Sequence, residues 1–378
     1  MRDLSIYFKP FEEPSSYKNG SLGSLIIDIE EADQASVAIV SVPEFRNSST
    51  SGIDSQQEVF TRFISLYKGE WDVKILALGE ILPGNTLDDT YAAIKEVVTE
   101  LVKNNIVPVV IGGSQDLTYA IYQAYEKLEQ TVNIVDFSPK SDLGNPDEEL
   151  SSQGWLSKII MHKPSYLFNY SLIGYQNYLT NPEELSLLNK MYFDTERLGT
   201  FYRNERRMEP MVRNADILSF DLDSIRSSDF PSNAYDLPHG FYGEDVCRIL
   251  RYAGMSDKLS VLGLFHESSN ELTSVESNLI AQLIWHFIDG VANRKKDYPI
   301  GTKEDYLKYI VSLDDFKDEL IFYKSPNSGR WWMQVPYPKT DKLKFERHLM
   351  VPCNYEDYQS ALQNEMPDLW WKTHQKLI

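Results

Sequence analysis

The chain has 378 residues, 42% hydrophobic and 12% aromatic, with a formal net charge of −19. That length and apolar content support one large α/β domain or two medium ones and exclude a disordered chain. The acidic balance argues against nucleic-acid and anionic-membrane partners, since both require a basic face. Its two cysteines, Cys247 and Cys353, stand far apart without CxxC spacing, so neither a disulfide framework nor a cysteine-based zinc site is expected. The opening stretch MRDLSIYFKPFEEP carries charges where a signal peptide needs an apolar core. No apolar run approaches the ~18 residues of a membrane span, and the expected location is cytoplasmic.

In chain order, residues 1–34 read as an N-terminal segment. Short apolar, β-branched runs then alternate with helical patterns. Strands are expected at 36–42, 73–78, 106–111, 131–137, 171–175, 216–223 and 259–265. Near-continuous apolar runs of this kind suit a sheet covered on both faces, hence a parallel one. Between them, residues 88–105 place Ile94, Val97, Val98, Leu101 and Val102 on one helical face, with Asp88 and Asp89 at the start. Residues 273–291 repeat the pattern through Leu279, Leu283, Phe287 and Val291, and Thr273 and Glu276 have capping-box spacing. Residues 35–295 therefore form a three-layer α/β/α domain with a mostly parallel central sheet. Residues 296–378 are a less regular, aromatic-rich C-terminal extension holding four of the seven tryptophans as Trp331-Trp332 and Trp370-Trp371. Those pairs either anchor the extension on or near the main domain or offer a protein-binding surface.

Two motifs carry chemistry. VVIGGSQDLTY (109–119) is a buried strand stopping at a Gly-Gly turn, the place where open α/β sheets put ligands. In SFDLDSIRSSDFP (219–231), strand alternation places Asp221 and Asp223 on one face. Two carboxylates that close need a cation, a shared proton or good solvation, and in a cleft the cation is often a hard divalent metal. GxSxG, P-loop and GxGxxG motifs are absent, and SPNSG (325–329) reads as a turn.

FDLDSI after a buried strand resembles the S-x-D-x-D motif of the ureohydrolase family, the arginases, agmatinases and formimidoylglutamases. GGSQDLTY is similar to that family's GGDHS. SVPEF, ILALGEI, LIGYQ and LPHGFYGEDVCRIL fall in family order, so the resemblance spans roughly residues 35–293. It implies an arginase-like fold, a homo-oligomer and a small guanidino or formimidoyl ligand. In the family, six residues hold two Mn2+ ions that activate a water for attack on a guanidinium or formimidoyl carbon. Position by position, the His of GGDHS falls on Gln115, and the last aspartates fall on Asp221 and Asp223, both intact. The family's D-A-H-x-D falls on Ser138, Lys140 and Asp142, or in a second register on Asp136, Ser138 and Lys140. The first keeps NIVDF as the apolar strand. Either way, three of six ligands remain, and Asp142, Asp221 and Asp223 are the metal candidates.

An ammonium has no lone pair to give a metal. Lys140, with Arg226 beside it, is expected to satisfy the aspartates in place of metal ions, with Gln115 a neutral hydrogen-bonder, so no cofactor is expected. Mn2+ enters only where the family activity survives. By the same resemblance, His266 or Glu267 takes the place of a late substrate-contacting acid, and His162 is a further catalytic candidate. A lone His near a strand end is more often structural. Three functions stay open: a non-catalytic or diverged ureohydrolase relative, an active hydrolase of linear amidines, and an interaction module using residues 296–378.

Overall fold

The computed structural model describes residues 2–48, 56–203, 207–267, 271–299, 304–314, 316, 319–337 and 346–377. The first half of the main domain runs β1 (Phe8–Lys9), β2 (Ile26–Ile27), β3 (Ala35–Ser41), α1 (Gln56–Ser65), β4 (Lys74–Ile81), α2 (Leu87–Lys103), β5 (Val107–Ile111) and α3 (Leu117–Lys127). It continues through β6 (Val132–Phe137), α4 (Trp155–Met161), β7 (Leu167–Tyr175), α5 (Pro182–Lys190), β8 (Asp194–Arg197), α6 (Leu198–Arg203) and α7 (Met208–Arg213). It closes with β9 (Ile217–Asp221), α8 (Gly243–Gly254), β10 (Val261–Phe265) and α9 (Ser274–Ala292).

These ten strands make one sheet ordered β1-β4-β3-β5-β10-β9-β6-β7-β8, with β2 also paired to β4. Only the β1–β4 pairing is antiparallel among the described residues. The two faces bury separate apolar layers. One contains Val59 and Phe63 of α1, Val246 and Ile249 of α8, and Ile280, Leu283 and Phe287 of α9. The other contains Ile94, Val97 and Leu101 of α2, Ile121 and Tyr125 of α3, and Trp155 of α4. Each such side chain contributes on the order of 1.5–3 kcal/mol of burial, which is why helices cover both faces. The caps are local: Thr86 with Asp89, and Thr273 with Glu276, form reciprocal capping boxes.

β5 stops where Gly112 and Gly113 take φ of +88° and +73°. A Cβ on Gly113 would lie 2.7 Å from the Val42 carbonyl, so only glycine fits this turn. β8 is a charged edge strand, and β1 and β2 are only two residues long, too short for a periodic strand signal.

The extension is more ordered than its texture implies. β11 (Leu307–Ser312), β12 (Glu319–Lys324), β13 (Trp331–Gln334) and β14 (Met350–Cys353) form a four-stranded antiparallel sheet. α10 (Tyr355–Leu362) and α11 (Asp368–Leu377) accompany it. Trp331, Trp332 and Trp370 are buried, while Trp371 is half-exposed. This unit meets the main sheet at the ends where the parallel strands begin. Arg213 donates to the carbonyls of Trp331 (3.2 Å) and Cys353 (3.1 Å), and its guanidinium lies 4.6 Å from the Trp332 ring centroid. His348 stacks on Phe168 at 3.7 Å and meets Thr131 Oγ1 at 2.9 Å. No helix among the described residues is long and apolar enough to cross a membrane.

Candidate functional site

The opposite ends of the central strands carry the motifs. β5, β10, β9 and β6 are neighbours in the sheet, so the loops after them converge. Brought together are Gln115 after β5, residues 138–142 after β6, Asp221 and Asp223 at the end of β9, and His266 and Glu267 after β10. Ligands of open α/β sheets bind at such carboxyl ends.

Lys140 lies at the centre of the charge balance. Its Nζ is 2.9 Å from Asp142 Oδ1 and 5.5 Å from the Tyr235 ring centroid. Burial alone would lower its pKa, but the charges of Asp142, Glu267 and Asp221 outweigh that and raise it, so the ammonium persists. Asp142 also accepts from Ser138 Oγ at 3.4 Å. Burial holds the Asp142 carboxyl above its ordinary range although Lys140 pulls it down. Burial raises Asp221 well above that range, and the neighbouring Asp223, Glu267 and Asp142 add to the effect. Glu267 is pushed up to about 7 by burial and by the charges of Asp142 and Asp223. Several carboxyl groups thus face one ammonium, and burial raises the Asp142, Asp221 and Glu267 carboxyls towards their neutral forms.

Asp223 is held differently from the strand-alternation expectation. β9 ends at Asp221, and Leu222–Ser224 form one 3-10 turn capped by the Asp221 side chain, which accepts from Asp223 N at 2.9 Å. Asp223 then accepts from Glu267 N (2.8 Å) and Ala234 N (2.9 Å), and its Oδ1 lies 3.2 Å from His266 Nδ1. The two carboxylates are therefore related by a cap, not by strand periodicity. A carboxylate two residues behind an amide satisfies it more readily than an extended strand can.

Gln115 lies deeper. Its amide donates to Asp136 Oδ1 (2.6 Å) and Ser219 Oγ (3.0 Å), and Tyr170 donates to Asp136 Oδ2 (2.6 Å). Burial pushes the Asp136 carboxyl well above its ordinary value. The two registers weighed for this loop thus correspond to two contact sets: Asp136 with Gln115 inside β6, and Asp142 with Lys140 beyond it.

Two expected members stand elsewhere. Arg226 does not reach the aspartate group: its Nε donates to Asp229 Oδ1 at 2.9 Å, and its guanidinium stacks 3.9 Å from the Tyr242 centroid. Ile225 is fully buried and bridged in parallel to Phe241, and Arg226 follows it outwards to an acid three residues away. His162 follows α4 and packs edge-on to Tyr119 and Tyr122 of α3. The next residues lead into β7, where Tyr166 pairs with the start of β6, so His162 belongs to the far end of the sheet. Conversely, Tyr235 and Tyr170 belong to the site and escaped the sequence reading. Tyr235 sits in a loop without periodicity, whereas Tyr170 at an inward position of a strand was a detectable signal. Burial and the surrounding acids raise the Tyr235 phenol.

The Arginase family model matches residues 43–288. The chain belongs to the arginase family. A crystal structure of formiminoglutamase with Mn2+ from Trypanosoma cruzi superposes on this arginase-family chain with a TM-score of 0.65 at 17% identity, over 73% of this chain and 100% of that one. Formimidoylglutamase from Bacillus subtilis gives 0.64 at 13%, over 75% and 96%. Agmatine ureohydrolase of Thermoplasma volcanium gives 0.58 at 15%, over 73% and 95%. At these identities the likeness is one of fold. In sequence, an uncharacterized 32.2 kDa protein of Methanothermus fervidus is 30% identical over 139 residues, 36% of this chain and 39% of that protein. The match thus spans well under half of that relative's length.

Proposed function

We propose that this arginase-family chain has exchanged the family's two-metal centre for an internal ion pair and has a binding or structural role instead of hydrolysis. The observation that carries the reading is Lys140, whose ammonium lies 2.9 Å from Asp142 where divalent ions would need lone pairs. Three further facts support it. Gln115 is engaged with Asp136 and Ser219. Asp223 has its oxygens filled by two backbone amides and His266. Among the described residues, no group of three or more His, Cys, Asp or Glu is placed to hold a metal ion. The donor set therefore does not fit a manganese pair, and no hydrolytic step is derived through one. Elemental analysis after incubation with MnCl2 and dialysis tests the reading: substoichiometric manganese is expected, and near-stoichiometric manganese per chain overturns it.

The second reading, a hydrolase of linear amidines, draws on the retained Asp142, Asp221 and Asp223. It requires release of urea, formamide or ammonia from a panel of guanidino and formimidoyl compounds supplied with Mn2+, and loss of that turnover in Asp223→Ala.

A further inference from the structure

A separate cavity of about 270 Å³ lies at the other end of the sheet, where the C-terminal unit meets the main domain. Its wall includes Lys258 and Ser260 ahead of β10, Arg294 after α9, Gln130 ahead of β6, and Arg347 and Tyr298 from the C-terminal region. Lys258, Arg294 and Arg347 bring three cations to one small space in a chain of net charge −19.

Two acids, Asp216 and Asp257, stand against the three cations and leave one positive charge in excess, while Lys258 also donates to Asn214 Oδ1 and Arg294 to the Gly254 and Leu259 carbonyls. Asp216 is fully buried behind the wall; it pairs with Arg347, lies 3.5 Å from Lys258 Nζ, and accepts from Asn133 N at 2.8 Å. Asp257, the acid on the wall, accepts from the backbone amides of Lys296 (3.2 Å) and Asp297 (2.8 Å). Burial and the Arg347 charge bring the Lys258 ammonium down to about 8, although Asp216 opposes them. His348 is held well below its ordinary value by burial and then by Lys258, Arg347 and Lys376. Arg347 also has a buried Nε–H that finds no hydrogen-bond partner among the described residues.

We infer that this cavity binds the oxyanion group of a small metabolite, a phosphate or carboxylate, between Arg347 of the C-terminal unit and Lys258 and Arg294 of the main domain. Guanidinium donors suit both groups, and charge-assisted bonds to them are the stronger class. The volume leaves room for a short carbon skeleton beside the oxyanion, which excludes polymeric anions. Because the ligand touches both units, it also fastens one to the other.

Calorimetric titration of the full chain with inorganic phosphate, and separately with citrate, tests this. The expected result is saturable binding of at least one, with each competing for the site, weakened about tenfold or more by Gln130→Glu. That change adds a negative charge to the wall without removing any ion pair, and it serves where Arg347→Gln fails to fold. Binding of phosphate alone or citrate alone supports the proposal and names the class. Absence of saturable binding by either, or binding unchanged in Gln130→Glu, overturns it.

Discussion

The two ends of the parallel sheet are opposite electrostatic solutions built on the same strands. Where β5, β6, β9 and β10 end, Asp142, Asp221, Asp223 and Glu267 gather around the single ammonium of Lys140. Where β6, β9 and β10 begin, Lys258 and Arg347 share the buried carboxylate of Asp216. A buried ion is tolerated when a partner of opposite sign is within reach, and removing that partner is far worse than never having had the pair. At the acid-rich end, burial and neighbouring acids raise the Asp221 and Glu267 carboxyls. At the base-rich end, burial and neighbouring cations lower Lys258 and His348.

The largest test removes the lone cation. Lys140→Ala strands Asp142 in a buried site, and unfolding by denaturant should show a loss of about 3–5 kcal/mol. A loss near zero would mean that the acids are already protonated without it and that the contrast between the ends is overstated. The mirror experiment removes the carboxylate that Lys258 and Arg347 share. Asp216→Ala leaves Lys258 buried but Arg347 partly exposed, so the expected loss is smaller, about 3 kcal/mol. Differential scanning calorimetry should also show the C-terminal unit loosening first, since Arg347 loses its anchor.

The third test separates protons from metal as the compensating charge. A carboxyl with its folded pKa near 7 and unfolded value of 4.5 binds its proton more tightly in the folded chain. Its contribution is therefore most favourable below about 4.5 and declines as pH rises through about 7, by roughly 3 kcal/mol in all. Glu44 and Asp194 are shifted downwards by their basic partners and act in the other direction, so the whole-protein profile is mixed. The difference between wild type and Glu267→Gln isolates the slope, measured as denaturant midpoints across that window. A flat difference would remove Glu267 from the shared proton pool. The smallest effect belongs to Arg226→Ala. Its pair with Asp229 is half-buried but lies apart from the aspartate group, so the loss should be about 1 kcal/mol or less and the acid-rich end should be undisturbed. A large loss would return Arg226 to the group from which its geometry removes it.

The sheet was readable because its signal is local. The runs at 36–42, 106–111 and 131–137 correspond to β3, β5 and β6 within a residue or two, and Thr273 with Glu276 caps α9 as its spacing predicts. β8 was not readable, since Asp194–Arg197 pair as a charged edge strand without an apolar run. Nor was the antiparallel order of the C-terminal unit, whose short strands are joined by turns rather than by a repeating apolar period. At the site, residue types could be named in advance, but their partners could not. Arg226 and Lys140 are both cations near the aspartate motifs in sequence; one turned to Asp229, the other to Asp142.

By itself, the amino-acid sequence determined the alternation of strands and helices, the Gly-Gly turn, the motif order and the presence of Lys140 near the aspartate motifs. These depend on side-chain periodicity and backbone conformation over a few residues. Only the tertiary structure decided which charge meets which, because the groups at 115, 140–142, 221–223 and 266–267 come from four strands far apart in the chain. Coulombic energy depends on distance and burial, and only the assembled sheet sets either one.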